Sequence, residues 1–115
     1  MNANAPVVLI SGCSTGIGRA LAMEFAARNW WVFATARKPA AINDLKVLNM
    51  ETAALDVTDE KSIAACVDSV IAKAGRIGML VNNAGLLLIA RFPRAFIEAL
   101  LSKKFGLDRL RNHNK

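Results

Sequence analysis

The feature that most restricts how this chain can fold is an uninterrupted apolar run, Val7-Val8-Leu9-Ile10, followed at once by Ser11-Gly12-Cys13-Ser14-Thr15-Gly16-Ile17-Gly18. A strand without polar alternation is buried on both faces, as in a parallel sheet covered by helices. Beyond the glycines, Ile17, Leu21 and Phe25 recur at helical spacing. The order is therefore strand, glycine-punctuated turn, helix. In such a junction, unpaired N–H groups and the positive helix end, about half an elementary charge, face whatever lies above the turn. The glycines permit positive φ and let a phosphate approach the backbone closely. The loop is expected to hold the phosphates of a dinucleotide, with a plain βα turn as the alternative.

The same alternation continues. The first helix is expected over Ile17 to Arg28, ending near Asn29, which tolerates the left-handed cap conformation. Trp30 to Ala36 is β-rich and reads as a second buried strand. Arg37-Lys38-Pro39 closes it, and proline suits the first turn of a short helix from Ala40 to Leu48. Glu51 to Leu55 forms a third strand. Asp56-Val57-Thr58-Asp59-Glu60 then opens a helix, with Thr58 as its N-cap. Ile63, Val67, Val70, Ile71 and Ala74 fall on one face of it, and Gly75 ends it. Met79 to Asn82 is the fourth strand. This pattern predicts an α/β layer, a partial doubly wound parallel sheet of order 3-2-1-4, with the first turn near the switch point. The fourth strand would leave an edge open to self-association.

Past Gly85 the character shifts. Residues 1–85 hold eight Lys/Arg against seven Asp/Glu, whereas residues 86–115 hold seven against two. Of the net charge of +6, the tail thus carries +5. The expected division is a nucleotide-binding half-domain over 1–85 and a divergent basic tail over 86–115, with one loosely amphipathic C-terminal helix from Ala95 to Phe105. That helix is read chiefly as a cover for the sheet. Other readings are a segment without stable structure, or a membrane-surface or nucleic-acid contact. No run approaches the roughly 20 apolar residues needed to span a bilayer. Met1 to Pro6 carries no basic region followed by an apolar core, so no secretory signal is expected. Two cysteines and one histidine make neither a disulfide framework nor a metal cluster.

Three further positions carry chemistry. Arg37 lies about twenty residues past the loop, at the end of the second strand, where dinucleotide sites contact the adenine ribose. A carboxylate there would repel a 2′-phosphate, and arginine supplies a fork of donors for one. A charge-assisted bond to phosphate contributes ~1.5–3 kcal/mol, enough to shift preference roughly ten- to a hundredfold. A solvated arginine at a strand end is the alternative. Asp56 follows the third strand and is placed to accept from an adenine amine, or else to shape the turn. Asn82-Asn83-Ala84-Gly85 follows the fourth strand directly. Its carboxamides can bond neighbouring loops, and Ala-Gly lets the backbone approach a ribose.

Together these motifs resemble the short-chain dehydrogenase/reductase family. Ser11 to Gly18 looks like that family's Thr-Gly-x-x-x-Gly-x-Gly fingerprint, with serine in place of threonine. Leu55-Asp56-Val57-Thr58 and Asn82 to Gly85 match two more motifs at family spacing, so the motif-borne likeness covers residues 6–85. Cys13 to Gly18 with Ala34 to Arg37 is most similar to NADPH-dependent members such as 1-acyldihydroxyacetone-phosphate reductases. The resemblance implies a Rossmann fold and hydride transfer between NADP(H) and an alcohol/ketone pair. It further implies that Gly12, Ser14, Thr15, Gly16, Ile17 and Gly18 surround the pyrophosphate. Arg37 would take the 2′-phosphate, Asp56 and Val57 the adenine, and Asn83, Ala84 and Gly85 the ribose beside the nicotinamide.

The family's chemistry uses a tyrosine acid with a lysine four residues on. This sequence contains no tyrosine. No catalytic residue is therefore assigned, and the 115 residues alone are expected to bind rather than turn over. A carbonyl or alcohol substrate belongs to a complete form. The expected partner is a small-molecule cofactor and not nucleic acid. The expected setting is intracellular and cytoplasmic by default, with a membrane or lipid-droplet surface implied only by the subgroup resemblance. A non-catalytic NADP-binding fragment and a membrane-surface protein acting through its basic tail remain the alternatives.

Overall fold

The computed structural model describes residues 4–46, 48 and 50–83. Its four strands are β1 (Val7–Ile10), β2 (Trp31–Ala36), β3 (Glu51–Ala54) and β4 (Met79–Val81). They form one parallel sheet in the order β3-β2-β1-β4, as the sequence pattern predicts. Leu9 pairs with Phe33 on one side and Leu80 on the other, which places β1 at the centre. Every residue of β1 and β2 is buried. β3, at an edge, is half-buried.

Because successive side chains of a strand point to opposite faces, β1 and β2 feed two separate cores. Val7, Leu9, Trp31 and Phe33 pack with Ile63, Val67 and Val70 of α3 (Glu60–Ala74). Val8, Ile10, Val32 and Ala34 pack on the other face with Ala22 of α1 (Gly16–Ala27), and with Ile42 and Leu45. Each fully buried aliphatic side chain contributes about 1.5–3 kcal/mol. These two layers hold the carboxyl ends of the strands in a fixed row, and the candidate site lies along that row.

The helix ends show where local reading and structure part. Asn29 adopts φ +67° just after α1, and Gly75 adopts φ +78° after α3, both as expected of left-handed caps. The short helix expected from Ala40 to Leu48 is instead a 3₁₀ turn, Pro39–Ile42, running into α2 (Asn43–Lys46). Thr58 is not the cap of α3. Asp59 is, its carboxylate accepting from the Lys61 N–H at 3.0 Å. Thr58 is occupied by Asp56, so its hydroxyl is spent in the preceding turn. The expected tail helix, Ala84 and Gly85 lie outside the described residues. No helix among the described residues is long and apolar enough to cross a membrane.

Candidate functional site

The glycine loop bridges β1 and α1, and its conformation explains its composition. Gly12 and Gly16 adopt φ +69° and +65°, a region that costs a side-chain-bearing residue about 1 kcal/mol or more. A Cβ on Gly16 would meet nothing within 4 Å, so open space lies above the start of α1. Gly18 has the opposite reason. A Cβ there would stand 2.2 Å from the Gly12 carbonyl oxygen and 2.7 Å from the Asn83 amide nitrogen. The helix is thereby seated directly on the loop. Thr15 stands at the N-cap of α1 without a capping bond from its side chain, and no acid occupies the first turn. The positive end of this helix is therefore not neutralised by its own residues.

The loop is held from β4 as well. Ser11 receives support through its N–H, which donates to the Val81 carbonyl at 3.0 Å. Its hydroxyl donates to the Asn82 side-chain oxygen at 3.1 Å. The Asn83 amide donates to the Gly12 carbonyl at 3.0 Å. The two asparagines thus act on the loop from 71 residues further along the chain, which is the role their residue type suggests. From β2, the Thr35 hydroxyl donates to the Ile10 carbonyl at 2.8 Å, and the Thr35 carbonyl accepts from the Cys13 N–H at 2.8 Å. Cys13 is wholly buried. Burial pushes its thiol up to about 11 despite the Thr35 hydrogen bond and the Arg19 charge. It is an inert thiol, not a nucleophile.

Beside the loop runs a cleft of about 560 Å³. Gly12, Ser14, Arg37, Asp56 and Val57 all line it, so five of the expected site residues meet there. Thr15, Gly16 and Ile17 are exposed at the mouth of α1, with Ile17 61% exposed although apolar. Gly18 lies buried beneath, and Asn83 touches the loop rather than the cleft. Sequence reading missed Lys38, Ala41, Leu55 and Thr58 on the wall. Lys38 is a second cation beside Arg37 in the sequence, Leu55 and Thr58 stand in the motif around Asp56, and only the fold shows that they reach the wall; Ala41 carries no chemical signal.

Asp56 serves as a turn-former. Its carboxylate accepts from the Thr58 N–H at 2.9 Å and the Thr58 hydroxyl at 2.6 Å, and its own N–H donates to the Ser62 hydroxyl oxygen at 2.8 Å. These bonds from Thr58, with the Arg37 charge, hold its carboxyl below the usual carboxylate value. Asp56 is ionised near neutral pH and shares the cleft with Arg37. Away from these residues, Arg19 of α1 pairs with Asp44 of α2, which ties the two helices together. Among the described residues no group of His, Cys, Asp or Glu is placed to hold a metal ion. The arrangement suits an extended ligand with phosphate near Gly12 and α1 and a polar or anionic end at Arg37 and Lys38.

A parallel sheet of this order with a glycine turn at its switch point defines a nucleotide-binding α/β protein. The chain belongs to the short chain dehydrogenase family, whose model matches residues 6–105. That match runs beyond Gly85, where the last compact motif ends, so the family likeness extends into the stretch that motif reading set apart as divergent. The chain is 38% identical over 87 residues to sulfoacetaldehyde reductase 2 of Chromohalobacter salexigens, covering 71% of this chain and 34% of that protein. A short-chain dehydrogenase structure from Streptomyces avermitilis superposes with TM-score 0.73 at 29% identity, covering 87% of this chain and 44% of the other. A metagenomic short-chain oxidoreductase in complex with NADP gives TM-score 0.70 at 25% identity, covering 91% and 57%. The chain spans about a third of the length of the curated relatives it matches.

Proposed function

We propose that this chain supplies the NADP(H)-binding half of a short-chain oxidoreductase that acts on an alcohol/carbonyl pair, and that the 115 residues by themselves bind without turnover. The observation that carries the reading is the meeting of the glycine loop and Arg37 on one cleft. The residues fit the cofactor: the space above Gly16 is open, and the uncapped α1 terminus favours the charge of a phosphate. Gly12, Ser14, Thr15, Gly16, Ile17 and Gly18 would border the pyrophosphate. Arg37, with Lys38 beside it, would hold a 2′-phosphate through charge-assisted bonds. Asp56 and Val57 would border the adenine, and Asn83, Ala84 and Gly85 the nicotinamide ribose.

When bound, the cofactor supplies a hydride donor or acceptor. Nothing among the chain's residues supplies the tyrosine acid of the family's chemistry, because the sequence has no tyrosine. The names of the relatives support a reductase or dehydrogenase role for a complete form. The likeness to 1-acyldihydroxyacetone-phosphate reductases rests on Cys13 to Gly18 and Ala34 to Arg37 alone.

Thermal-shift titration tests the reading. A ligand at a hundredfold its dissociation constant adds ~2.7 kcal/mol of stability. NADPH is expected to raise the melting temperature more than NADH at equal concentration, and Arg37→Asp to reverse that order. Equal shifts from both cofactors in the unsubstituted chain would overturn the Arg37 assignment, and no shift from either would overturn the whole reading.

A further inference from the structure

Two polar side chains are buried among the described residues, Ser11 and Thr35. Ser11 belongs to the fingerprint loop. Thr35 does not, and it lies fully buried within the otherwise apolar strand β2. Valine has nearly the same shape, favours strands equally and brings no hydroxyl to desolvate, so packing alone does not call for threonine. What the hydroxyl does is bond across the sheet. It donates to the Ile10 carbonyl, the last of β1, at 2.8 Å. The backbone carbonyl of the same residue accepts from the Cys13 N–H at 2.8 Å. The Cys13 thiol also reaches the Ile10 carbonyl, at 3.4 Å.

One residue of the neighbouring strand thus clamps the chain on both sides of Ser11 and Gly12. Between the clamped points Gly12 turns to φ +69° and presents its carbonyl to the Asn83 amide and to the underside of Gly18. We propose that Thr35 is a positioning residue for the cofactor loop, fixing the entry into the glycine turn so that its N–H groups are aimed before any ligand arrives. This inference rests on the NADP(H)-binding reading given above. It differs from the Arg37 assignment in a measurable way. Arg37 acts on the ribose phosphate that distinguishes the two cofactors, whereas Thr35 acts on the turn that meets the pyrophosphate common to both.

The test measures dissociation constants for NADPH and NADH by fluorescence titration in the unsubstituted chain, Thr35→Val and Thr35→Ser, with melting temperatures alongside. Losing one buried hydrogen bond predicts that Thr35→Val binds both cofactors about three- to tenfold more weakly, in the same proportion. Thr35→Ser, which keeps the hydroxyl, is expected to restore binding. A Thr35→Val chain that melts lower yet binds both cofactors at the original affinity would show a merely structural role and overturn the proposal. An unsubstituted chain that binds neither cofactor would instead overturn the underlying reading. Should Thr35→Val fail to fold, amide hydrogen exchange on the unsubstituted chain decides: the Cys13 amide is expected to be protected like the amides of β1, and exchange at the rate of an open loop sinks the clamp.

Discussion

At Gly18 a single methyl group would enter space already held by a backbone carbonyl, 2.2 Å away, with the Asn83 amide at 2.7 Å. Neither neighbour is the free end of a flexible side chain, because Asn83 is itself bonded to that carbonyl. Gly18, itself one of the residues expected around the pyrophosphate, therefore sets the seat of α1, and through it the aim of the loop. At Gly16 the constraint is torsional alone, since nothing lies within 4 Å of an added Cβ. Gly16→Ala is expected to cost about 1 kcal/mol, the usual penalty for an alanine at positive φ. Gly18→Ala is expected to cost more, about 2–4 kcal/mol, as an overpacked site does when backbone must shift. Urea unfolding of both variants checks the order, and the reverse ranking would contradict the close seating of α1 on Gly12.

Among the elements, α3 shows how neighbouring polar residues divide their work. Asp59 caps the helix and Glu60 follows in its first turn, where negative charge is favoured. Thr58, one residue earlier, is drawn into the Asp56 turn at the rim of the cleft. Asp59→Ala is accordingly expected to destabilise the chain by about 1 kcal/mol, the ordinary worth of an N-cap, without altering cofactor affinity. Thr58→Ala is expected to have the smaller effect on stability and to loosen Asp56, raising its carboxyl toward the ordinary value. Chemical denaturation, with carboxyl titration by NMR for the second variant, separates the two roles. The strands carry a parallel lesson. β1 and β2 are buried throughout, while β3 is half-buried, and only the first two were readable as strands closed on both faces.

Across the whole molecule, Glu51 links three elements. It starts β3, accepts from Lys73 of α3 at 2.6 Å and accepts from the Trp31 indole of β2 at 3.3 Å. Burial raises its carboxyl, but the bonds from Lys73 and Trp31 and the Lys73 charge outweigh that and hold it below its ordinary value of 4.5. A carboxyl lowered in the folded state adds stability that is fully present above the unfolded value and lost as pH falls through the folded one. The melting temperature is expected to fall more steeply below pH 4.5 in the unsubstituted chain than in Glu51→Gln. At neutral pH the variant should be less stable by about 1 kcal/mol or less, since Lys73 is more than half exposed. Identical acid limbs for the two chains would remove Glu51 from the account.

The sequence by itself determined the layer order, the strand order and the glycine turn, because apolar runs, helical periodicity and glycine torsions are local and survive in one dimension. It also determined the family, through three compact motifs at regular spacing, and it marked Gly12, Ser14, Arg37, Asp56 and Val57, which the fold brings onto one cleft. Tertiary structure alone decided that Lys38 and Thr58 share that cleft, that Asp59 rather than Thr58 caps α3, and that Thr35 grips the loop. The physical reason is distance along the chain. The Thr35 hydroxyl finds the Ile10 carbonyl 25 residues away only once the parallel register sets Ile10 against Ala34, and no pattern of neighbours foretells a bond that the sheet creates.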